Sequence, residues 1–235
     1  MRPAGCWTAA RALASLLTVA ILALALPTDA RADWLFGAYM GAAGTNTNTL
    51  TVTPASGPTS TLADVEYVGQ AFRSPIYYGG RLSWLRHGDG SGTFSPELEW
   101  THAKAIAEFD PTGQDLTAFQ QSHGLNFLLG NLAYRTAPAC GMRCMFVARG
   151  GVGISTPHVE STIRGQHQEQ YQYGGVAWQV GGGVEYRLWR RVYAVADARF
   201  TGVSDKHLHG AGADISGTFF TRHVDFGVAV RVGRQ

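Results

Sequence analysis

The stretch Val224-Asp225-Phe226-Gly227-Val228-Ala229-Val230-Arg231-Val232 decides the fold class. In an extended chain, side chains alternate between two faces. Val224, Phe226, Val228, Val230 and Val232 therefore share one face, and Asp225, Ala229 and Arg231 share the other. A strand with one unbroken apolar face and one ionisable face has two different surroundings. Close to the end of an exported chain, this reads as a membrane-spanning strand, apolar toward lipid and polar toward a lumen. The pattern recurs upstream, where Val176, Trp178, Val180, Val184, Tyr186 and Leu188 alternate with Gln179, Glu185 and Arg187. A soluble sandwich is the competing reading, so the number and length of strands must decide.

Residues 1 to 32 read as a signal peptide. Arg2 and Arg11 supply a basic start, an apolar run extends from Leu13 to Leu26, and Ala30-Arg31-Ala32 forms a small-x-small cleavage site. The run is followed by Pro27 and is shorter than the ~20 residues of a spanning helix. Cys6 precedes the run and is no lipoprotein acylation site. Of 19 basic and 17 acidic residues, three bases (Arg2, Arg11, Arg31) and one acid (Asp29) lie in the leader, which leaves 16 of each. A mature chain without a basic surplus argues against nucleic-acid binding. The remaining residues, 33 to 235, suit a single domain.

Eight strands are expected near 34–43, 76–87, 93–105, 123–135, 144–157, 173–188, 191–203 and 217–233. Most are ten residues or longer, whereas soluble strands average ~5 to 6 and tilted membrane strands need ~9 to 11. Connections alternate short (87–92, 140–144, 189–190) and long (44–75, 108–122, 158–172, 204–216), the rhythm of periplasmic turns and external loops. Aromatics such as Trp34, Trp84, Phe94, Trp100, Tyr134 and Tyr186 sit near strand ends, where girdles meet headgroups. The expected fold is all-β, an eight-stranded antiparallel up-and-down transmembrane barrel in the cell outer membrane, functioning as a monomer.

With apolar faces outward, Arg81, Glu97, Glu99, Arg135, Arg149, Glu185, Arg187, Asp197, Arg199, Asp225 and Arg231 point inward. An eight-stranded lumen is narrow enough for side chains to fill, so this balanced set reads as an ion-paired plug rather than a pore. Cys140 and Cys144, the two cysteines beyond the leader, read first as a disulfide across a tight turn, with a metal or redox pair as the minor reading.

Strand polarity places His102, His123, His158, His167, His207, His209 and His223 toward the outer end and His87 at a periplasmic turn. Histidine is a common metal ligand and general base, so an outer rim cluster is a candidate site. The bland alternative is that polar residues collect in loops. It explains His167, His207 and His209 better than His102 and His123, which should face one another if their hairpin turns near Pro111 to Gly113.

The segment Glu97-Leu98-Glu99-Trp100-Thr101-His102-Ala103-Lys104, followed by Ser122-His123-Gly124-Leu125-Asn126-Phe127 and continuing to Arg135, resembles the paired strands of the lipid A oxidase group of outer-membrane barrels. That resemblance implies oxidation of the proximal glucosamine of lipid A to 2-aminogluconate with oxygen and a divalent cation. It assigns His102 and His123 as metal ligands or bases, Asn126 to orient substrate and Lys104 to attract a lipid phosphate. Thr101 and Gly124 complete the matching elements. The partners it implies are outer-membrane lipids, lipopolysaccharide and the barrel-assembly machinery. No carboxylate lies beside the two histidines in sequence, so a two-His-one-carboxylate site would draw on Glu108, Asp110, Asp205 or Asp225 through folding. Two other readings compete. One is a non-enzymatic barrel serving structure, adhesion or membrane integrity. The other is a deacylase built on Ser122 and His123, although strand neighbours point to opposite faces unless the chain bends.

Overall fold

The alternation over 224–232 is realised as one strand of a closed sheet. The computed structural model describes residues 32–86 and 92–233. The expected leader, apart from Ala32, lies outside the described residues, as does His87. In chain order the strands are β1 (Ala32–Thr45), β2 (Asn48–Pro54), β3 (Ser60–Val68), β4 (Tyr78–Arg86), β5 (Thr93–His102), β6 (Ala105–Glu108) and β7 (Leu116–Gln121). They continue as β8 (Phe127–Arg135), β9 (Cys144–Ser155), β10 (His158–Ile163), β11 (Gln166–Tyr171), β12 (Gly175–Trp189), β13 (Val192–Gly210) and β14 (Ala213–Val232).

Eight of these, β1, β4, β5, β8, β9, β12, β13 and β14, pair antiparallel in that order, and β14 closes on β1 with Val230 opposite Phe36 and Val224 opposite Ala42. Closure gives the ladder groups partners within the sheet, the condition for backbone to cross lipid. The faces are those expected: Phe226 is 60% exposed and its neighbour Asp225 1%. Trp34 against Trp84 and Phe94 against Tyr134 mark the aromatic girdle at the short-turn end. Tyr78 against Trp100 and Trp178 against Phe220 mark the other.

The lumen between the girdles is filled by charge. Glu99 accepts hydrogen bonds from Arg199 (2.6 Å), Arg81 (2.9 Å), Tyr39, Asn131 and Gln179 (each 2.7 Å). Glu97 takes Arg135 at 2.7 Å and Arg149 at 3.1 Å, Glu185 takes Arg135 at 2.8 Å, and Asp225 takes Arg199 at 2.6 Å. Asp197 pairs with Arg81 at 3.0 Å and with Arg149. The expected plug is thus present, with one correction. Arg187 is exposed, and its guanidinium donates to the Met142 carbonyl at 3.0 Å, capping a turn instead of joining the network. That turn is closed by the Cys140–Cys144 disulfide, with Cα atoms 5.5 Å apart.

Above the upper girdle the polarity inverts. The long connections are not irregular loops, as their Thr, Asn and Pro content suggested. They form β2, β3, β6, β7, β10 and β11, which continue from the outer arm of β14 in the order β2-β3-β6-β7-β10-β11. Gln170 and Gln172 beside β11 reach the His209 carbonyl on β13 at 3.2 and 3.1 Å, so this second tier wraps back on itself. Its interior is apolar, built from Leu50, Val52, Leu62, Val65, Leu116, Phe119, Phe127, Ile215 and Phe219 among others. Residues 122–126, expected to begin a strand, form the turn into β8.

Asp205 lies on the β13 arm opposite Gly217, farther out than the Gly202–Phe220 pair at the girdle. Its two carboxylate oxygens are buried without hydrogen-bond partners, as are both polar atoms of the Gln121 amide. Burial raises the Asp205 carboxyl to about 7, against a lowering influence from Gln121.

Three substitutions separate buried from exposed charge. Glu99→Ala leaves Arg81 and Arg199 short of a buried partner and should cost ~3 to 5 kcal/mol in urea unfolding of the detergent-folded barrel. Asp115→Asn, which opens the exposed Arg164 pair, should leave the midpoint unchanged. The folded state favours protonated Asp205, so its contribution is full below the ordinary carboxylate value and is lost as pH rises through about 7. Asp205→Asn should therefore raise the unfolding midpoint at pH 8 relative to wild type and have a smaller effect at pH 4. An equal shift at both pH values would contradict the assignment.

Candidate functional site

The junction between the two tiers carries an open groove of about 370 Å³ lined by Pro75, Tyr78, Trp100, His102, His123, Asn126, Thr156 and Tyr171. Tyr78 and Trp100 belong to the outer aromatic girdle, so the groove opens on the barrel wall at headgroup height and not into the filled lumen. His102 follows Trp100 by two residues and shares its face. Its ring packs on Tyr78 and Trp100 with centroids 5.3 and 6.3 Å apart.

The turn at 122–126 brings the second strand's residues to this face. It is clamped on both sides: Leu125 N–H donates to Ala103 O at 2.6 Å, and His158 N–H to Gly124 O at 2.9 Å. Gly124 has φ +116°, and a Cβ there would lie 2.3 Å from Asn126 Oδ1 and 2.5 Å from His102 Nδ1. Only glycine leaves room for the bond between those two atoms, which are 2.9 Å apart. Asn126 Nδ2 donates to the carbonyls of Thr156, Gly124 and His123, which fixes its Oδ1 toward His102. An amide oxygen only accepts, so His102 carries its proton on Nδ1. Its Nε2 is left with a free lone pair and no hydrogen-bond partner.

On the far side of the turn, His123 meets β10. Its Nδ1 lies 3.1 Å from Ser122 Oγ and 3.4 Å from Glu160 Oε1, and its ring sits edge-on to His158 at 4.8 Å. His158 in turn packs edge-on against Tyr171 at 4.5 Å. Ser122 Oγ donates to Glu160 Oε1 at 2.5 Å, and the Gln120 amide donates to Oε2. Partial burial works to raise the Glu160 carboxyl, but hydrogen bonds from Ser122, Gln120 and His123 outweigh it and hold the group below its ordinary value.

His102, His123 and Asn126 thus converge on one groove, and the hairpin turns beside Pro111 as its spacing implied. Lys104 is placed elsewhere. Its ammonium donates to the Arg73 carbonyl at 3.0 Å, and it does not line the groove. Thr101 belongs to the lumen, bonded to Tyr39 at 2.7 Å. His223 is also in the lumen, held by Tyr77 and Thr201, while His167, His207 and His209 stand on the outer surface. Among the described residues, one group of three brings metal-binding atoms within 4.8 Å of one another: His123, His158 and Glu160. The carboxylate comes from Glu160, not from Glu108, Asp110, Asp205 or Asp225. The signal that could have found it is His158-Val159-Glu160, an i, i+2 pair sharing one strand face.

The objection that Ser122 and His123 must diverge fails, because they lie in a turn and touch. The arrangement is still not that of a serine hydrolase. There the hydroxyl and the carboxylate meet opposite ring nitrogens. Here both approach Nδ1 of His123, and the Ser122 hydroxyl is spent on Glu160.

A closed eight-stranded ring, apolar outside and ion-paired inside, defines an outer-membrane-type β-barrel, here with a polar groove on its outer wall. No family model matches the sequence, and no curated protein does. Among solved structures the chain is similar to OprG from Pseudomonas aeruginosa, with 12% identity, 87% of this chain and 98% of that one covered, and a TM-score of 0.46. It is also similar to Neisserial surface protein A, with 11% identity, 85% and 97% covered and a TM-score of 0.41. Ail of Yersinia pestis aligns with 10% identity, 87% and 99% covered and a TM-score of 0.35. The assignment of this barrel rests on its own strands and faces.

Gly124→Ala should leave the barrel folded, with its heat-modifiable mobility on gels intact, while costing ~1 to 3 kcal/mol for a side chain at positive φ. It should also break the His102–Asn126 bond, read as loss of the slowly exchanging Nδ1 proton of His102 by NMR. Retention of that proton in the variant would contradict the account of the turn.

Proposed function

We propose that this protein acts on lipopolysaccharide in the outer leaflet, as an oxidase-like enzyme whose substrate sugar enters the groove at the tier junction. The observation that carries this reading is the composition of the groove. Lipid-facing girdle aromatics, Tyr78 and Trp100, line it together with His102, which packs against them, and with His123 and Asn126. Sugar rings pack on aromatic faces, and their hydroxyls need hydrogen-bonding groups, so such a lining suits a glycolipid headgroup lying at the membrane surface. His102 Nε2, unpaired and buried beside Tyr78 and Trp100, would act as a general base when a substrate hydroxyl displaces what covers it. Lys104 and Arg73 sit side by side near Pro75, where their charge would draw a lipid phosphate toward the groove. The filled lumen supports a surface activity rather than conduction.

A second reading is favoured by the outer tier. A folded unit with its own apolar core stands beyond the membrane and exposes Phe72, Tyr171 and Tyr173, a surface suited to contact with other molecules. On that reading the barrel is non-enzymatic.

Mass spectrometry of lipid A separates the two. Cells expressing the wild type should contain 2-aminogluconate lipid A, and cells expressing His102→Ala or His123→Ala at equal membrane levels should not. Identical lipid A in all three, and in cells lacking the protein, would overturn the enzymatic reading and favour the second.

A further inference from the structure

Beside the groove, on the other side of the 122–126 turn, the metal-binding atoms of His123, His158 and Glu160 lie within 4.8 Å of one another. His158 and Glu160 share a face of β10, and His123 arrives from the turn that His158 N–H clamps. Nδ1 of His158 is buried without a hydrogen-bond partner, a condition that native proteins rarely leave unexplained. It stands 3.9 Å from Glu160 Oε1, and His123 Nδ1 stands 3.4 Å from the same oxygen. Atoms held by one ion at ~2.0 to 2.1 Å are themselves about 3 to 3.5 Å apart. With all the ligand atoms within 4.8 Å of one another, ring movements of about 1 to 1.5 Å would complete such a set. The carboxylate is already oriented by Ser122 and Gln120, the kind of support that ligating carboxylates receive. The side chain of His123 is 55% exposed, so the side of the cluster toward the groove stays open to further ligands.

We infer that His123, His158 and Glu160 together bind one divalent first-row transition-metal ion, with His102 and Asn126 beside it as non-ligands. Two imidazoles and one carboxylate with open positions is a donor set shared by iron(II) and zinc(II) sites. His102 is set apart by position: the residues whose metal-binding atoms lie within 4.8 Å of one another are His123, His158 and Glu160. The site deepens the proposed function, on which its purpose rests, but its existence can be tested without lipid.

The test is titration of the chelator-stripped, detergent-folded barrel with cobalt(II) alone, followed by calorimetry and by the visible absorption of the bound ion. One cobalt(II) per chain is expected. Binding should weaken by more than about tenfold in His158→Ala and in Glu160→Gln, since even supporting residues contribute that much to metal affinity. His123→Ala, at an exposed position that does not threaten folding, should do the same. His102→Ala should retain binding. So should His209→Ala, which removes the exposed His209–Asp214 pair as a rival. No binding by the wild type, binding that survives His123→Ala and Glu160→Gln, or binding abolished by His209→Ala would overturn the inference. Cobalt binding at this site with unaltered lipid A would leave the metal centre standing and remove the enzymatic reading. Lipid oxidation that persists in Glu160→Gln would do the reverse.

Discussion

The structure depends on a change of solvent along its axis. Within the membrane, a closed ring of eight strands must be apolar outside, and its narrow lumen must be filled. Glu99, with Arg81 and Arg199, is the centre of that filling, and each of the three is bonded to residues on several other strands. Beyond the upper girdle the same strands stand in water, and the pattern reverses. On β13 the inward series runs Asp197, Arg199, Thr201, Val203. On β14 it runs Asp225, His223, Thr221, Phe219. The chain is a membrane barrel below and a water-facing sheet around an apolar interior above, and on β13 and β14 the changeover falls at Thr201 and Thr221.

This changeover gives the groove its place. Below it, polar groups must face the lumen, where they are consumed by one another. Above it, the inward side is apolar. The junction is where polar side chains can gather beside the outer girdle, and His102, Asn126 and His123 line the groove there. Their order comes from backbone: Gly124 at positive φ, clamped by Ala103 and His158, lets Asn126 and His102 meet. A site on strand ends and a clamped turn is held more firmly than one on a free loop.

What the sequence shows follows the same division. Membrane strands were legible because lipid enforces strict alternation, and Val224 to Val232 alone separate the two faces. The inward charges were legible for the same reason, except Arg187, where the strand leaves the lumen and the rule lapses. The outer tier was not legible. Strands such as Asn48–Pro54 are short and rich in Thr and Asn, and their inward Leu50 and Val52 look like isolated apolar residues in a loop. Of the site, His102, His123 and Asn126 could be picked out from polarity and resemblance. Glu160 shows in sequence only as the i, i+2 partner of His158; its meeting with His123 depends on the pairing of β10 with β7, between segments some forty residues apart. Lys104 does not line the groove, because β5 ends at His102 and the chain turns into the second tier there.

On the proposed function, lipid is recognised at the groove on the outer wall. A crystal structure of the barrel grown with lipid A tests it most directly. The glucosamine backbone should lie in the groove against Tyr78 and Trp100, with polar contacts to His102, His123 and Asn126. Lipid A bound elsewhere on the barrel wall, with the groove free of sugar, would contradict it.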